Sequence, residues 1–127
     1  MSAHIDHRHL SRILGVSRAA IGLALLVAPR RTARGWVGDR AASGSGTVAL
    51  RALGVRDLAI GYGTVHAIDS GDPNLRQWVT LAGLCDLTDA AATVLAFHRL
   101  PRRGRFLALA IAAAAGATAF VSRDRLE

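Results

Sequence analysis

Five charged side chains lie where charge is least expected. Arg18, Arg56, Asp57, Asp86 and Asp89 all fall inside stretches that otherwise read as apolar helix. On insertion scales a charge at the centre of a membrane helix costs about 2.5–3.5 kcal/mol, so such groups are rare and usually paired. Three kinds of chemistry fit this set. It can be a structural ion-pair network that fixes helix register. It can be the polar wall of a cavity for a proton, an ion or a small amphipathic ligand. It can also hold a general acid–base pair, since Asp86 and Asp89, one turn apart, could share a proton. No nucleophile and no substrate is marked by the sequence, so no catalytic residue is assigned.

The charges belong to a repeated pattern. "RILGVSRAAIG" (12–22) and "RALGVRDLAIG" (51–61) are identical at seven of eleven positions, and "GLCDLTDA" (83–90) is a fainter echo. Each copy has a glycine, a charged residue three positions on, and a small residue four further. The trios are Gly15–Arg18–Gly22, Gly54–Asp57–Gly61 and Gly83–Asp86–Ala90. Spacings of three and four put each trio on one helical face. Small residues let helix backbones approach closely, so these faces should meet. Arg18 is then expected to reach Asp57, Asp86 or both. Arg56 projects about 100° from Asp57 and has Asp89 or a partner protein within range. Arg51 lies nearer a segment end and can snorkel.

The elements that must position these groups are four apolar segments, roughly 10–29, 47–68, 77–98 and 105–122. Each approaches the length of about 20 residues that spans a bilayer core as a helix. Alanine and leucine abound in them, which favours helix over strand. The expected fold is all-α: a single domain over 1–127, a four-transmembrane-helix bundle, with 1–9 as a disordered tail. The first segment ends "LLVAPRR" without a small-x-small cleavage pattern, so it is expected to remain as a helix. "PRRTARGWVGDRAASGSG" (29–46), "DSGDPN" (69–74) and "RLPRRGR" (99–105) are read as loops. Trp36 is expected at the membrane interface, and Trp78 either there or in the core. The rival architecture is a soluble four-helix bundle, which the low mean hydropathy of +0.29 favours. Periodicity opposes it: "FLALAIAAAAGATAFVS" (106–122) offers only Thr118 and Ser122 as polar positions, where a soluble surface helix shows a polar face.

Charge distribution narrows the partners. The net charge is +7, and all sixteen basic residues are arginine, which reads as codon bias. The arginines sit at the ends of apolar runs rather than in one stripe, and aromatic residues make up only 5%, so nucleic acid is not an expected partner. The first and third loops hold eight arginines: Arg30, Arg31, Arg34, Arg40, Arg99, Arg102, Arg103 and Arg105. The opposite side holds five: Arg8, Arg12, Arg76, Arg123 and Arg125. The positive-inside rule places loops one and three in the cytoplasm and both termini outside. The lone Cys85 excludes an internal disulfide and a cysteine zinc cluster. Removal of Met1 would expose Ser2-Ala3-His4, an end able to wrap Cu(II) or Ni(II), with His7 and His9 nearby; a solvated tail is the preferred reading, and no metal site is assigned. "GYGTV" is not followed by Gly-Lys-Ser/Thr, so it is no phosphate loop, and no cofactor is expected.

The stretch "ALRALGVRDLAIGYG" (49–63), with its core of Leu53, Gly54, Arg56, Asp57 and Gly61, resembles a motif in small four-helix membrane proteins common in actinobacteria and also seen in fungi. They are grouped as a domain of unknown function, and the likeness extends over roughly 10–122. It implies a four-helix integral membrane protein and brings no activity with it. The layout is also similar to that of small four-helix membrane proteins of the DoxX type, which often act beside redox partners.

Taken together, these features lead to an expected multi-pass protein of the cell membrane, a binding or accessory subunit with an intramembrane Arg/Asp cluster. Its expected partners are the lipid bilayer, another membrane protein or a second copy of itself, or a lipophilic small molecule. The alternative is a membrane-embedded enzyme or transporter acting on a lipophilic molecule or a proton through Asp57, Asp86 and Asp89. A second alternative is a soluble helical binding module.

Overall fold

The structure, a computed structural model, describes residues 7–102 and positions 104, 106, 110, 113, 114, 116 and 117. The described residues form helices and no strand. Helix α1 spans His7–Val27, α2 Pro29–Val37, α3 Gly44–Ser70 and α4 Leu75–Leu95, with short 3-10 turns at Gly38–Ala42 and Phe97–Arg99. Beyond α4, residues 102, 104, 106, 110, 113, 114, 116 and 117 are helical; the rest of the expected fourth apolar segment lies outside the described residues.

Backbone contact between α1 and α3 organises the bundle. A Cβ added at Gly22 would lie 2.6 Å from the Gly54 carbonyl oxygen, and one at Gly54 would lie 2.6 Å from the Gly22 oxygen. The same reciprocity holds one repeat further, where a Cβ at Gly61 would lie 2.5 Å from the Gly15 oxygen. The two repeated stretches therefore pack antiparallel, first glycine against last. A side chain at these crossings would separate the helices, which is why small residues recur there. Helix α4 packs on α3 differently: Gly63 leaves a pit that takes the Trp78 ring, with a Cβ at Gly63 only 2.7 Å from the indole carbons. Trp78, Ile68, Ala67, Leu75 and Val79 form one apolar cluster near this end.

Three expectations are corrected. The stretch 29–46 is not an open loop. Pro29 stops the α1 ladder but starts α2, because the first turn of a helix needs no N–H there. Helix α2 is amphipathic: Pro29 and Ala33 are buried, while Arg30, Arg31 and Arg34 are exposed. The glycine-serine stretch is the start of α3. The Ser43 hydroxyl caps it by accepting from the Gly46 N–H at 3.0 Å, and any side chain at Gly46 would strike the Arg40 carbonyl. Secondly, α1 begins at His7, so residues 7–9 of the expected tail are its first turn; residues 1–6 lie outside the described residues. Thirdly, α4 ends at Leu95 and not at 98, followed by the 3-10 turn.

The two ends of the bundle are distinct. At one end, an Arg40 guanidinium N–H donates to the Arg99 carbonyl at 3.3 Å, and Gly104 is pressed against the Trp36 backbone, so the α1–α3 connection meets the segment after α4. At the other end, Arg12 of α1 pairs with Asp69 of α3. Helices α1 and α4 are each long and apolar enough to cross a membrane. Helix α3 is longer, yet every 18-residue stretch of it carries three charges, since Arg56 and Asp57 are always joined by Arg51 or Asp69. Only 22% of the apolar window of α1, and the same share of α4, is buried within the chain. Large apolar side chains such as Ile13, Val16, Ile21, Leu81 and Leu84 are about half exposed.

Gly54→Ala should destabilise the fold by about 1–3 kcal/mol, the usual cost of overpacking a close contact. Gly35→Ala, with open space around it, should be neutral or stabilising by up to about 1 kcal/mol. Unfolding in mixed detergent micelles measures both; equal losses would mean that the α1–α3 crossing is looser than described.

Candidate functional site

The α1–α3 crossing sets the depth of the charges. Arg18 stands between Gly15 and Gly22, and Asp57 between Gly54 and Gly61, so the antiparallel contact brings the two side chains together. Arg18 donates to Asp57 Oδ1 at 2.9 Å and, through its other terminal nitrogen, to Asp86 Oδ1 on α4. Helices α1 and α4 come close at few backbone positions, and Arg18 bridges them. Arg56 forms a fork on Asp89, at 3.1 Å and 2.7 Å, and also donates to Asp57 Oδ1 at 3.0 Å. The fork geometry suits a planar guanidinium on a carboxylate. Three helices are thus tied by one network of two guanidiniums and three carboxylates. The Arg18, Asp57 and Asp86 side chains are only 11–13% exposed, and Arg56 and Asp89 about 30%.

The remaining stripe positions are placed plainly. Gly15, Gly22, Gly54 and Gly61 lie at the helix crossing, Gly83 is buried in α4, and Ala90 is half-buried. Arg51 turns to the end of α1, donating from Nε to the Leu26 carbonyl at 3.3 Å. There it satisfies one of the carbonyls that a helix terminus leaves open.

The network does not fill the space beside it. A cleft of about 480 Å³ runs along α1, α3 and α4, and Arg18, Asp57, Asp86 and Asp89 line its middle. Its other walls are mostly apolar, with Leu14, Leu25, Leu53, Val79 and Ala82 among them. Ser11 lines one end, and Trp36 of α2 the other. The Ser11 hydroxyl and the Trp36 indole N–H are both buried without a hydrogen-bond partner among the described residues. An unpartnered buried polar group costs about 1–3 kcal/mol, so two of them in one cleft are informative. A hydroxyl both donates and accepts, whereas an indole N–H only donates.

Ser11 and Trp36 were not legible as site residues. Serine in a helix ordinarily bonds back to its own backbone, and Trp36 read as a membrane-interface residue. Ser11 does fall on the line of Gly15, Arg18 and Gly22, which is the signal that could have found it. Among the described residues no group of three or more His, Cys, Asp or Glu side chains has the arrangement of a metal site. Ser2, Ala3 and His4 lie outside the described residues. No protein-family model, curated protein or solved structure matches the chain.

Arg18→Leu should cost about 3–5 kcal/mol, as when one side of a buried pair is removed. The geometry specifies the rescue. Asp57 keeps Arg56 as a partner, while Asp86 loses its guanidinium. Arg18→Leu with Asp86→Leu should therefore recover more stability than Arg18→Leu with Asp57→Leu. Folding free energies of the singles and doubles test this; strictly additive losses in both pairs would refute the network.

Proposed function

We propose that this protein is an integral membrane protein, a four-helix bundle whose interhelical cleft binds a lipophilic small molecule. One observation carries the reading: an apolar cleft of ligand size whose middle is lined by a charged network and whose ends hold unpartnered polar atoms. Ligand sites in general are largely apolar, with a few placed polar groups that fix orientation.

Membrane placement is supported by the surface. A core helix of a soluble protein is mostly covered by its own chain, whereas α1 and α4 leave most of their apolar windows uncovered. Large exposed apolar faces need a partner, and lipid supplies one. Helix α2, with arginines outward and Trp36 inward, suits a membrane interface. The end that gathers Arg30, Arg31, Arg34, Arg40, Arg99 and Arg102 then faces the cytoplasm, and the Arg12–Asp69 end faces out. The third span is α3, its charges turned to α1 and α4, and the fourth is the segment after α4.

Binding fits the site better than acid–base catalysis. Each of Asp57, Asp86 and Asp89 already accepts a hydrogen bond from an arginine, so each is tied into the brace between the helices. The same bonds brace the three helices, so the cleft is preorganised and its polar wall costs no rearrangement on binding.

After an alkaline wash the protein should stay with the membrane fraction. In a Cys85→Ala background, an impermeant thiol reagent should label Ser70→Cys from outside and leave Gly44→Cys unlabelled until the membrane is opened. Recovery as a soluble monomer, or the reverse labelling, would refute this placement.

A neutral solvatochromic dye should bind the purified protein saturably. Ala82→Trp, which fills the cleft wall, should weaken that binding about tenfold, the scale of an overpacking penalty. Unchanged dye affinity would exclude the cleft as the site.

A further inference from the structure

Among the described residues the network is short of one positive charge, and the shortfall falls on a single residue. Two guanidiniums face three carboxylates. Asp89 has both oxygens held by Arg56. Asp57 Oδ1 is shared by Arg18 and Arg56. Among the described residues Asp86 has only one terminal nitrogen of Arg18, on Oδ1, and Arg18 divides itself between Asp86 and Asp57. Asp86 is also buried, at 8% exposure, and lines the cleft. Among the described residues, the charged groups that bear on it are Arg18 from α1, Asp57 from α3, and Asp89 on its own helix. In the segment after α4, Gly116 lies close by, a Cβ there falling 3.7 Å from the Asp86 Cβ, and it brings no charge. A carboxylate so placed requires a compensating cation or a proton, because an uncompensated charge in apolar surroundings is very costly.

A second, independent feature lies in the same cleft. Ser11 is 3% exposed, and its hydroxyl has no partner among the described residues. Its lone pairs can accept from a ligand N–H or bear on a positive centre. An anionic ligand is disfavoured, since it would add to a network already one charge negative and would have to displace a carboxylate from Arg18. The apolar walls exclude a small hydrated ion in favour of a cation that carries its own hydrophobic framework.

We propose that the cleft is a site for a lipophilic organic cation, an amine or onium compound, whose charge is balanced by Asp86 in competition with a proton. The proposal rests on the cleft-binding reading above and deepens it. Cation and proton exclude one another at Asp86, so the cation binds more weakly as the proton concentration rises. When the cation enters, any proton on Asp86 leaves to solvent and no other bond changes.

The test uses the full chain in nanodiscs of uncharged phosphatidylcholine, with tetraphenylphosphonium and tetraphenylborate as probes of similar size and opposite charge. The phosphonium should bind saturably, compete with the neutral dye, and bind more weakly as the pH is lowered; the borate should not compete. Asp86→Asn should weaken phosphonium binding about 30-fold or more while the neutral dye still binds, which also reports that the cleft has folded. Asp86→Glu should largely retain it. Equal binding of the two ions, or phosphonium binding indifferent to both pH and Asp86→Asn, overturns the proposal. If the neutral dye binds and the phosphonium does not, the cleft reading stands and the charge inference fails. If neither binds, both fail.

Discussion

Arg18 is the group on which the arrangement depends. A guanidinium cannot be neutralised by losing its proton inside a protein, so its position obliges the fold to bring acceptors to it. It obtains them from two other helices, Asp57 on α3 and Asp86 on α4. The obligation sets the register of α1 against α3, because a slip by one turn would strand the charge among apolar side chains. It also sets the spacing, since the Arg18–Asp57 contact requires the backbones to approach as closely as the Gly22–Gly54 and Gly15–Gly61 crossings allow. Close packing and charge pairing are therefore one constraint. The glycines permit the approach, and the ion pair makes only one register acceptable.

The same constraint explains the cleft. A side chain as long as arginine can hold two helices together without their backbones touching. Helices α1 and α4 are joined in this way, through Arg18 and Asp86, rather than by interdigitated small residues. The span leaves space alongside, and the neighbouring walls are apolar because the helices themselves are. A tie that is polar, central and wider than a van der Waals contact creates a chamber with a charged middle and greasy ends. Ser11 and Trp36 line that chamber, and the Ser11 hydroxyl and Trp36 indole N–H are buried with nothing of the described chain to bond to.

Much of this was readable from residue type and spacing, and the reasons for the rest are specific. The glycine–charge–glycine trios were visible because a helix repeats its face every three or four residues, and that rule needs no tertiary information. Their pairing partners were visible because mid-helix charges of opposite sign have few places to go. Helix α2 was missed because Pro29, three arginines and Gly35 look like breakers and solvent-facing residues. Their helical order comes from burial of Pro29 and from packing of Ala33 with Leu25 and Leu50, a long-range contact that local propensity does not record. The Gly44–Gly46 stretch read as flexible because glycine is intrinsically so; the cap at Ser43 and the nearness of the Arg40 carbonyl fix it instead. The uncapped ends of α4 were displaced by two or three residues for a similar reason, as no strong terminal signal marks them.

The internal repeat adds a further level of order. Two copies of a nearly identical stretch that pack antiparallel make reciprocal contacts, the first position of each facing the last of the other and only the centre facing its equivalent, as two copies of a chain do across a twofold axis. The first and last glycines then make two reciprocal crossings. An equivalent charge at the centre would face itself and repel. The two copies differ at that centre, Arg18 in one and Asp57 in the other, so the symmetric contact becomes a complementary one. The next difference, Ser17 against Arg56, breaks the symmetry again and directs the second guanidinium toward α4, where Asp89 receives it. Two substitutions within an eleven-residue repeat thus convert a self-pairing helix face into one that orders three helices. They also leave the third carboxylate, Asp86, with a shared partner only.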